Sequence, residues 1–371
     1  MKKLISKLAF GLVAFGIMAG SVQAAEKYPA FSLAWSEYPS WSIFGVAHKF
    51  GLINGDKGKY GPIEERWKVD IVLKEAEYDP TREMYGTGEA DAVCVTNTDS
   101  LQLSLRANSV GILATSTSYG ADAAVVVKNT IGGVKDLKNY STYGLEKSVS
   151  QYTFVRNLEK LGENPSEYKF VNMDPGIAAM VMQQRNPDYK SILVWNPFAM
   201  ETLNKRPDTT VLFDSRSIPG EIIDMVIMSE KSLNREGGDR FANAVIDTFY
   251  SVNERVADPA TRDETLIAIG EKFSHLNLES MKKVVRQTRF YETPEQALSL
   301  FTGGEAFPGG KVETNGNLEN LMKQVVKTCV EVGIADSAPT IGYGTKAETG
   351  DVNLRFDPTY IKNVVTKKNK K

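Results

Sequence analysis

The sequence predicts an α/β protein of two hinged lobes, each a mostly parallel sheet flanked by helices, followed by a helical C-terminal region. Three observations predict it. Between Tyr28 and about Ser229, short β-rich runs alternate with helical stretches, the pattern of a parallel sheet covered on both faces. The series runs twice, as repeated architecture without repeated sequence. After Ser229 the strand signal fades and amphipathic helical periods take over. A length of 371 residues suits two lobes at ~100–200 residues per domain.

The first 24 residues stand apart from the fold. Lys2, Lys3 and Lys7 form a basic start, residues 8–20 are apolar, and Val22 and Ala24 are small residues placed as signal peptidase requires. Thirteen apolar residues are too few to span a bilayer. Cleavage after Ala24 is expected, with export to the periplasm. It removes three lysines and no acid, taking the net charge from −2 to −5 over 347 residues.

The first set of elements begins with a strand at 31–35 and a helix from Trp41 that stops at Gly51. A strand at 67–73 follows, in which Val69, Ile71 and Leu73 alternate. Then come a helix at 79–85, a strand at 92–95, a helix from about Asp99 and a strand at 110–114. The second set reads as strands at 123–127 and 141–145, a helix at 150–161, and a strand at 168–171. A helix at 175–184, a strand at 191–195, a helix from Pro197 and a strand at 222–228 complete it. Helices are expected at 241–256, 261–273, 278–289, 294–301 and 318–332, a Gly-rich loop at 303–317 and a solvated Lys-rich tail at 367–371. Residues 25–120 and 223–371 are expected to form one lobe and 121–222 the other. The crossings fall near Gly120 to Ala123 and Gly220 to Asp224.

Composition narrows the function. With 44 Lys and Arg against 46 Asp and Glu, nothing draws the chain to nucleic acid or an anionic membrane. Two Cys and two His supply neither a disulfide framework nor a Cys-rich metal site, and no cofactor is expected. Cys94 and Cys329 read as two free buried thiols, Cys serving as a small hydrophobe; the alternative is a disulfide between them, which an oxidising compartment permits. His48 falls in a helix and His275 between helices, neither of them at a strand end.

In sheets of this type ligands bind beyond the C-terminal strand ends, so the loops there carry the functional reading. The first loop holds Trp35, Glu37, Tyr38 and Trp41, aromatics that either wall a pocket or pack strand against helix. The second, 96–100, offers Asn97 and Asp99; Asp99 or Thr98 serves as helix N-cap or meets a ligand. The third offers Ser150 at a helix start, as N-cap or as the entry to open N–H groups. In the fourth, Asp174 precedes a first-turn proline, as an N-cap does. Trp195 and Asn196 end a strand and are read at a cleft rim. Glu221 and Asp224 lie in the sixth loop, where alternation puts Asp224 on an apolar face, a costly place for a carboxylate without a partner. These loops hold acids, amides, hydroxyls and aromatics, with Lys147 almost the only base. A small cation suits them: carboxylates take a guanidinium in paired hydrogen bonds and aromatic faces attract positive charge.

The residues also resemble a known group. The leader, Val194-Trp195-Asn196-Pro197, and Gly88-Glu89-Ala90-Asp91-Ala92 leading into a strand resemble the periplasmic substrate-binding proteins of ABC importers, in the nitrate, sulfonate and taurine group. Thr96-Asn97-Thr98-Asp99, Ser148-Val149-Ser150-Gln151-Tyr152 and the run from Phe213 to Asp224 are similar to its subgroup linked with urea carboxylase. The resemblance covers most of Phe31 to Thr248. It implies a type II-like binding-protein fold, a monomer that closes on a small nitrogen-rich solute, guanidinium or urea, and hands it to an ABC permease in the inner membrane. Glu37 departs from the subgroup's first loop, where an apolar residue is usual. The alternatives are a binding protein for taurine, an alkylsulfonate or nitrate, and an enzyme like those of thiamine-pyrimidine synthesis. No nucleophile–base pair supports an enzyme.

Overall fold

The computed structural model describes residues 27–273, 276–308 and 316–368. The expected leader, His275 and the end of the Lys-rich tail lie outside the described residues.

Thirteen strands are described. The first four are β1 (Ala30–Trp35), β2 (Asp70–Glu75), β3 (Ala92–Thr96) and β4 (Ser109–Ser118). Then follow β5 (Asp122–Val127), β6 (Ser141–Gly144), β7 (Lys169–Asn172), β8 (Ser191–Trp195) and β9 (Thr209–Asp214). The last four are β10 (Ile223–Ser229), β11 (Thr288–Phe290), β12 (Ile341–Tyr343) and β13 (Leu354–Phe356). One sheet runs β12-β13-β4-β10-β3-β1-β2 with β11 beside β4; the other runs β7-β6-β8-β5-β9. In the larger sheet every strand points one way except β10 and β11, which pair antiparallel with their neighbours. In the smaller sheet only β5 is reversed, lying antiparallel between β8 and β9.

The strands explain the apolar runs. β3, β4, β5 and β8 are buried along their whole lengths, as strands covered on both faces must be. Alternation divides the smaller sheet's side chains. Ala124, Val126 and Leu193 pack on one face with Phe154, and Ala123, Val125, Ile192 and Val194 on the other with Ala178 and Met182. In the larger unit the long helix Gly238–Ala257 presents Phe241, Val245 and Phe249 to the core. Phe241 stacks on Phe31 of β1 with centroids 5.0 Å apart.

Several expectations are corrected. The strand expected at 67–73 begins only at Asp70, because Pro62 opens a short helix, Pro62–Trp67, that Lys68 ends in a left-handed conformation at φ 57°. The cap of helix Asn97–Arg106 is Thr96, not Asp99 or Thr98, and the cap of helix Val149–Lys160 is Ser148, not Ser150. Asp174 does cap its helix, accepting from the Ile177 N–H at 3.0 Å. The helix expected at 278–289 ends at Gln287 and gives way to β11. The C-terminal region is not helical alone: β11, β12 and β13 are three residues each, too short for alternation to register in sequence. Cys94 and Cys329 are buried free thiols.

The chain passes between the sheets twice, at residues 119–121 and 215–222. Each passage contains a left-handed glycine, Gly120 at φ 103° and Gly220 at φ 75°, a conformation that side chains resist. The second passage is bolted from both sides. Arg156 reaches from helix Val149–Lys160 to grip Glu221 with two nitrogens, at 2.8 and 2.9 Å, and Tyr152 donates to the same carboxylate at 2.7 Å. From the other side, the Asn97 amide donates to the Glu221 carbonyl and accepts from the Ile223 N–H.

Candidate functional site

Strand direction builds the site. A reversed strand begins at the edge where its neighbours end, so its first residues face the ligand-binding side of the sheet. β5 begins with Asp122, and Asp224 is the second residue of β10. Register then fixes their neighbours. Asp122 lies opposite Trp195 of β8, while Asp224 lies between Thr96 of β3 and Ser116 of β4. The two carboxylates line one small cavity together with Tyr38, Trp41, Tyr78, Thr96, Val149 and Trp195.

The aromatics form a connected box. Trp41 and Tyr78 are stacked with rings 10° apart and centroids at 5.6 Å; Tyr38 leans on Trp41 at 4.8 Å, and Trp195 meets Tyr78 edge-on at 5.5 Å. The indole nitrogen of Trp41 is buried without a partner. The Tyr38 hydroxyl lies beside Asp224 and Thr288 yet makes no well-aligned hydrogen bond to either. Room inside is scarce.

The electrostatics are one-sided, since no Lys, Arg or His lines the cavity. Burial pushes the Asp224 carboxyl well above the usual range; the Ser116 hydroxyl pulls it back and the Asp122 charge raises it further. Ser116 donates to Asp224, and its oxygen lies 2.8 Å from the Ser40 hydroxyl, itself 3.0 Å from that of Thr115. Asp122 is raised to about 7, by burial first and then by Asp99 and Asp214 against the help of Ser118. Outside, Glu77 is raised by burial and then by the charges of Asp174 and Glu37, so acids also gather at the approach. Burial disfavours the charged form of such groups, and a positive charge placed beside them would restore it. Among the described residues no cluster of three or more His, Cys, Asp or Glu is arranged to hold a metal ion.

Of the residues singled out in sequence, the cavity gathers Tyr38, Trp41, Trp195 and Asp224. The rest lie elsewhere. Trp35 is 1 % exposed and packs on the helix Ser42–Lys49 at Gly45, where an added Cβ would come within 2.8 Å of the indole. Asn97 and Glu221 fix the second passage. Asp99 is fully buried behind the aromatic wall and accepts from Tyr78 at 2.7 Å and Thr98 at 3.0 Å. Ser150 is buried with an unpartnered hydroxyl. Asn196 donates to Gln287 at 2.8 Å, linking the smaller unit to helix Leu278–Gln287. Glu37 is half-buried at the approach. His48 is exposed and accepts from the Gly55 N–H. Sequence reasoning missed Asp122, Tyr78, Thr96 and Val149. For Asp122 a signal existed: it interrupts the apolar run from Ala121 to Val127, just as Asp224 interrupts its own.

No protein-family model matches this chain, and no curated protein matches it. Solved structures do. The periplasmic aliphatic sulphonate binding protein SsuA from Escherichia coli aligns with a TM-score of 0.56 at 17% identity, covering 72% of this chain and 89% of its own. The fold is that of the periplasmic binding proteins. The periplasmic nitrate-binding protein NrtA from Synechocystis PCC 6803 aligns with a TM-score of 0.53 at 10% identity, covering 92% and 98%. A Candida albicans protein described as having the generic periplasmic binding protein fold gives 0.59 at 12%, covering 84% and 92%. The cavity lies between the two sheets, with Asp224 from the larger and Asp122 from the smaller. No helix among the described residues is long and apolar enough to cross a membrane.

Proposed function

We propose that the chain is a periplasmic solute-binding protein of an ABC importer. On this reading it captures a small planar nitrogen-rich cation, guanidinium, between its lobes and hands it to a permease in the inner membrane. It acts as a monomer, without cofactor and without catalysis. The observation that supports the solute is the cavity lining: two acids and four aromatic side chains, with no Lys, Arg or His among them. Guanidinium offers donors to both acids and lays its face on aromatic rings, each contact worth about 0.5–2 kcal/mol. Urea has the same outline without the charge and is the weaker candidate. Taurine and nitrate each carry an anionic group, for which the lining offers no Arg or Lys and two acids that repel it once ionised.

Closure is a hinge motion about the two glycine-bearing passages, with the solute binding both carboxylates only in the closed state. Calorimetric titration of the protein lacking residues 1–24 with guanidinium, urea, nitrate and taurine tests the reading. Guanidinium is expected to bind tightest. Binding of nitrate or taurine with none of guanidinium overturns the assignment, and turnover of any of the four overturns the absence of catalysis.

A further inference from the structure

A second cavity lies back to back with the first and has the opposite character. Its volume is about 410 Å³, within the ~300–1,000 Å³ of small-molecule sites. Consecutive residues serve the two spaces. On β5, Asp122 lines the first and Ala123 the second, since neighbours along a strand face opposite ways. At the end of β8, Trp195 lines the first and Asn196 the second.

The walls of the second cavity come from different units. One is helix Leu278–Gln287, where Ser280, Lys283 and Gln287 share a face at helical spacing with Arg286 beside them. The other is helix Phe198–Lys205 of the smaller unit, which supplies Met200 and Leu203, with Val211 of β9 next to them. Asn196 is 2 % exposed and joins the walls by donating to Gln287 at 2.8 Å. The charge is one-sided again, with the sign reversed, because no Asp or Glu lines this cavity. Lys282 of the same helix is engaged by Asp263 and Glu279, each at 3.5 Å, whereas Lys283 and Arg286 enter no ion pair among the described residues. Bases of one sign in a concave space with apolar walls focus their field there and draw in an anion.

We propose that this cavity is a second ligand site, for a small organic anion with an apolar body. Arg286 offers a carboxylate two parallel N–H donors and Lys283 adds a point charge, while Met200, Leu203 and Val211 receive the body. The site does not depend on which solute the first cavity takes.

Calorimetry and thermal melts of the protein lacking residues 1–24 test it, with hexanoate and 1-hexanol as probes. Hexanoate should bind and raise the melting temperature. The alcohol has the same tail without the charge and should bind at least about ten-fold more weakly, the size expected for hydrogen bonds to charged groups. The double variant Lys283→Ala with Arg286→Ala removes only exposed side chains, so it should fold and bind hexanoate no better than 1-hexanol. Leu203→Glu places a carboxylate of the chain's own in the cavity and should weaken hexanoate as well. No hexanoate binding, 1-hexanol binding as tightly as hexanoate, or hexanoate affinity unchanged in the double variant would overturn the site. Guanidinium is titrated separately. Hexanoate binding without guanidinium binding discards the first cavity's solute and keeps this site; guanidinium binding without hexanoate binding does the reverse.

Discussion

The two sheets deliver a carboxylate to the cleft by the same device, a reversed strand that begins at the binding edge, yet the two acids end in different surroundings. Asp224 stands between two strands of the larger sheet, with the Ser116 hydroxyl on it and a line of hydroxyls behind. Asp122 sits in the smaller sheet opposite Trp195, where Ser118 is the hydroxyl that favours its charge. Burial raises both, Asp122 to about 7 and Asp224 well above the usual range, with the Ser116 hydroxyl pulling Asp224 back. The difference lies in how each acid is held: Asp224 by a chain of hydroxyls, Asp122 by one.

The largest effect should come from neutralising the acid on the hydroxyl chain. Asp224→Asn is expected to weaken guanidinium at least about 100-fold, since removing one partner of a buried charge pair costs several kcal/mol. Isothermal titration checks this, and an unchanged affinity refutes the carboxylate's role. The next is pH. Asp122 is neutral below about 7 in the empty cleft, so a cation must displace its proton there. The Asp122 proton alone should make guanidinium affinity rise by up to about ten-fold per unit as pH climbs toward 7. Asp122→Asn should flatten that profile. For the ligand-free protein the sign is opposite. Its raised acids bind more protons folded than unfolded between about 4 and 7. Asp122 therefore makes stability fall with rising pH across that window, and so does Glu64, likewise raised to about 7 by burial. Thermal melts at pH 5 and 8 test this.

Smaller effects sharpen the contrast. Trp195→Leu should weaken guanidinium about 2- to 30-fold, the range of one cation–aromatic contact, while leaving urea less affected. Ser116→Ala removes the donor to Asp224 and should cost about ten-fold or less, leaving in place the midpoint of the part of the pH profile that Asp122→Asn removes. A shift in the midpoint would mean that the two acids titrate as one unit.

Much of this was legible in the sequence where the signal is local. Alternating runs gave the sheets, and Trp195, Tyr38, Trp41 and Asp224 were found because aromatics and acids at strand ends are out of place among apolar neighbours. What the sequence could not display is pairing over distance. Glu221 reads as a cleft acid until Arg156, 65 residues away, is seen to hold it. Asp99 reads as a cap or a ligand residue until Tyr78, 21 residues away, is seen donating to it. Tyr78 opens its helix with no local sign that its ring will stack on Trp41. Asp122 was overlooked for a different reason, since the rule that exposed Asp224 applied equally to it.

The smallness of the cavity has a consequence for selection on the guanidinium reading: a solute would shed most of its hydration shell before the lobes shut. Guanidinium groups are weakly hydrated and give up water readily, whereas ammonium ions hold it strongly. A cleft so lined would sort cations by the cost of undressing them as well as by outline.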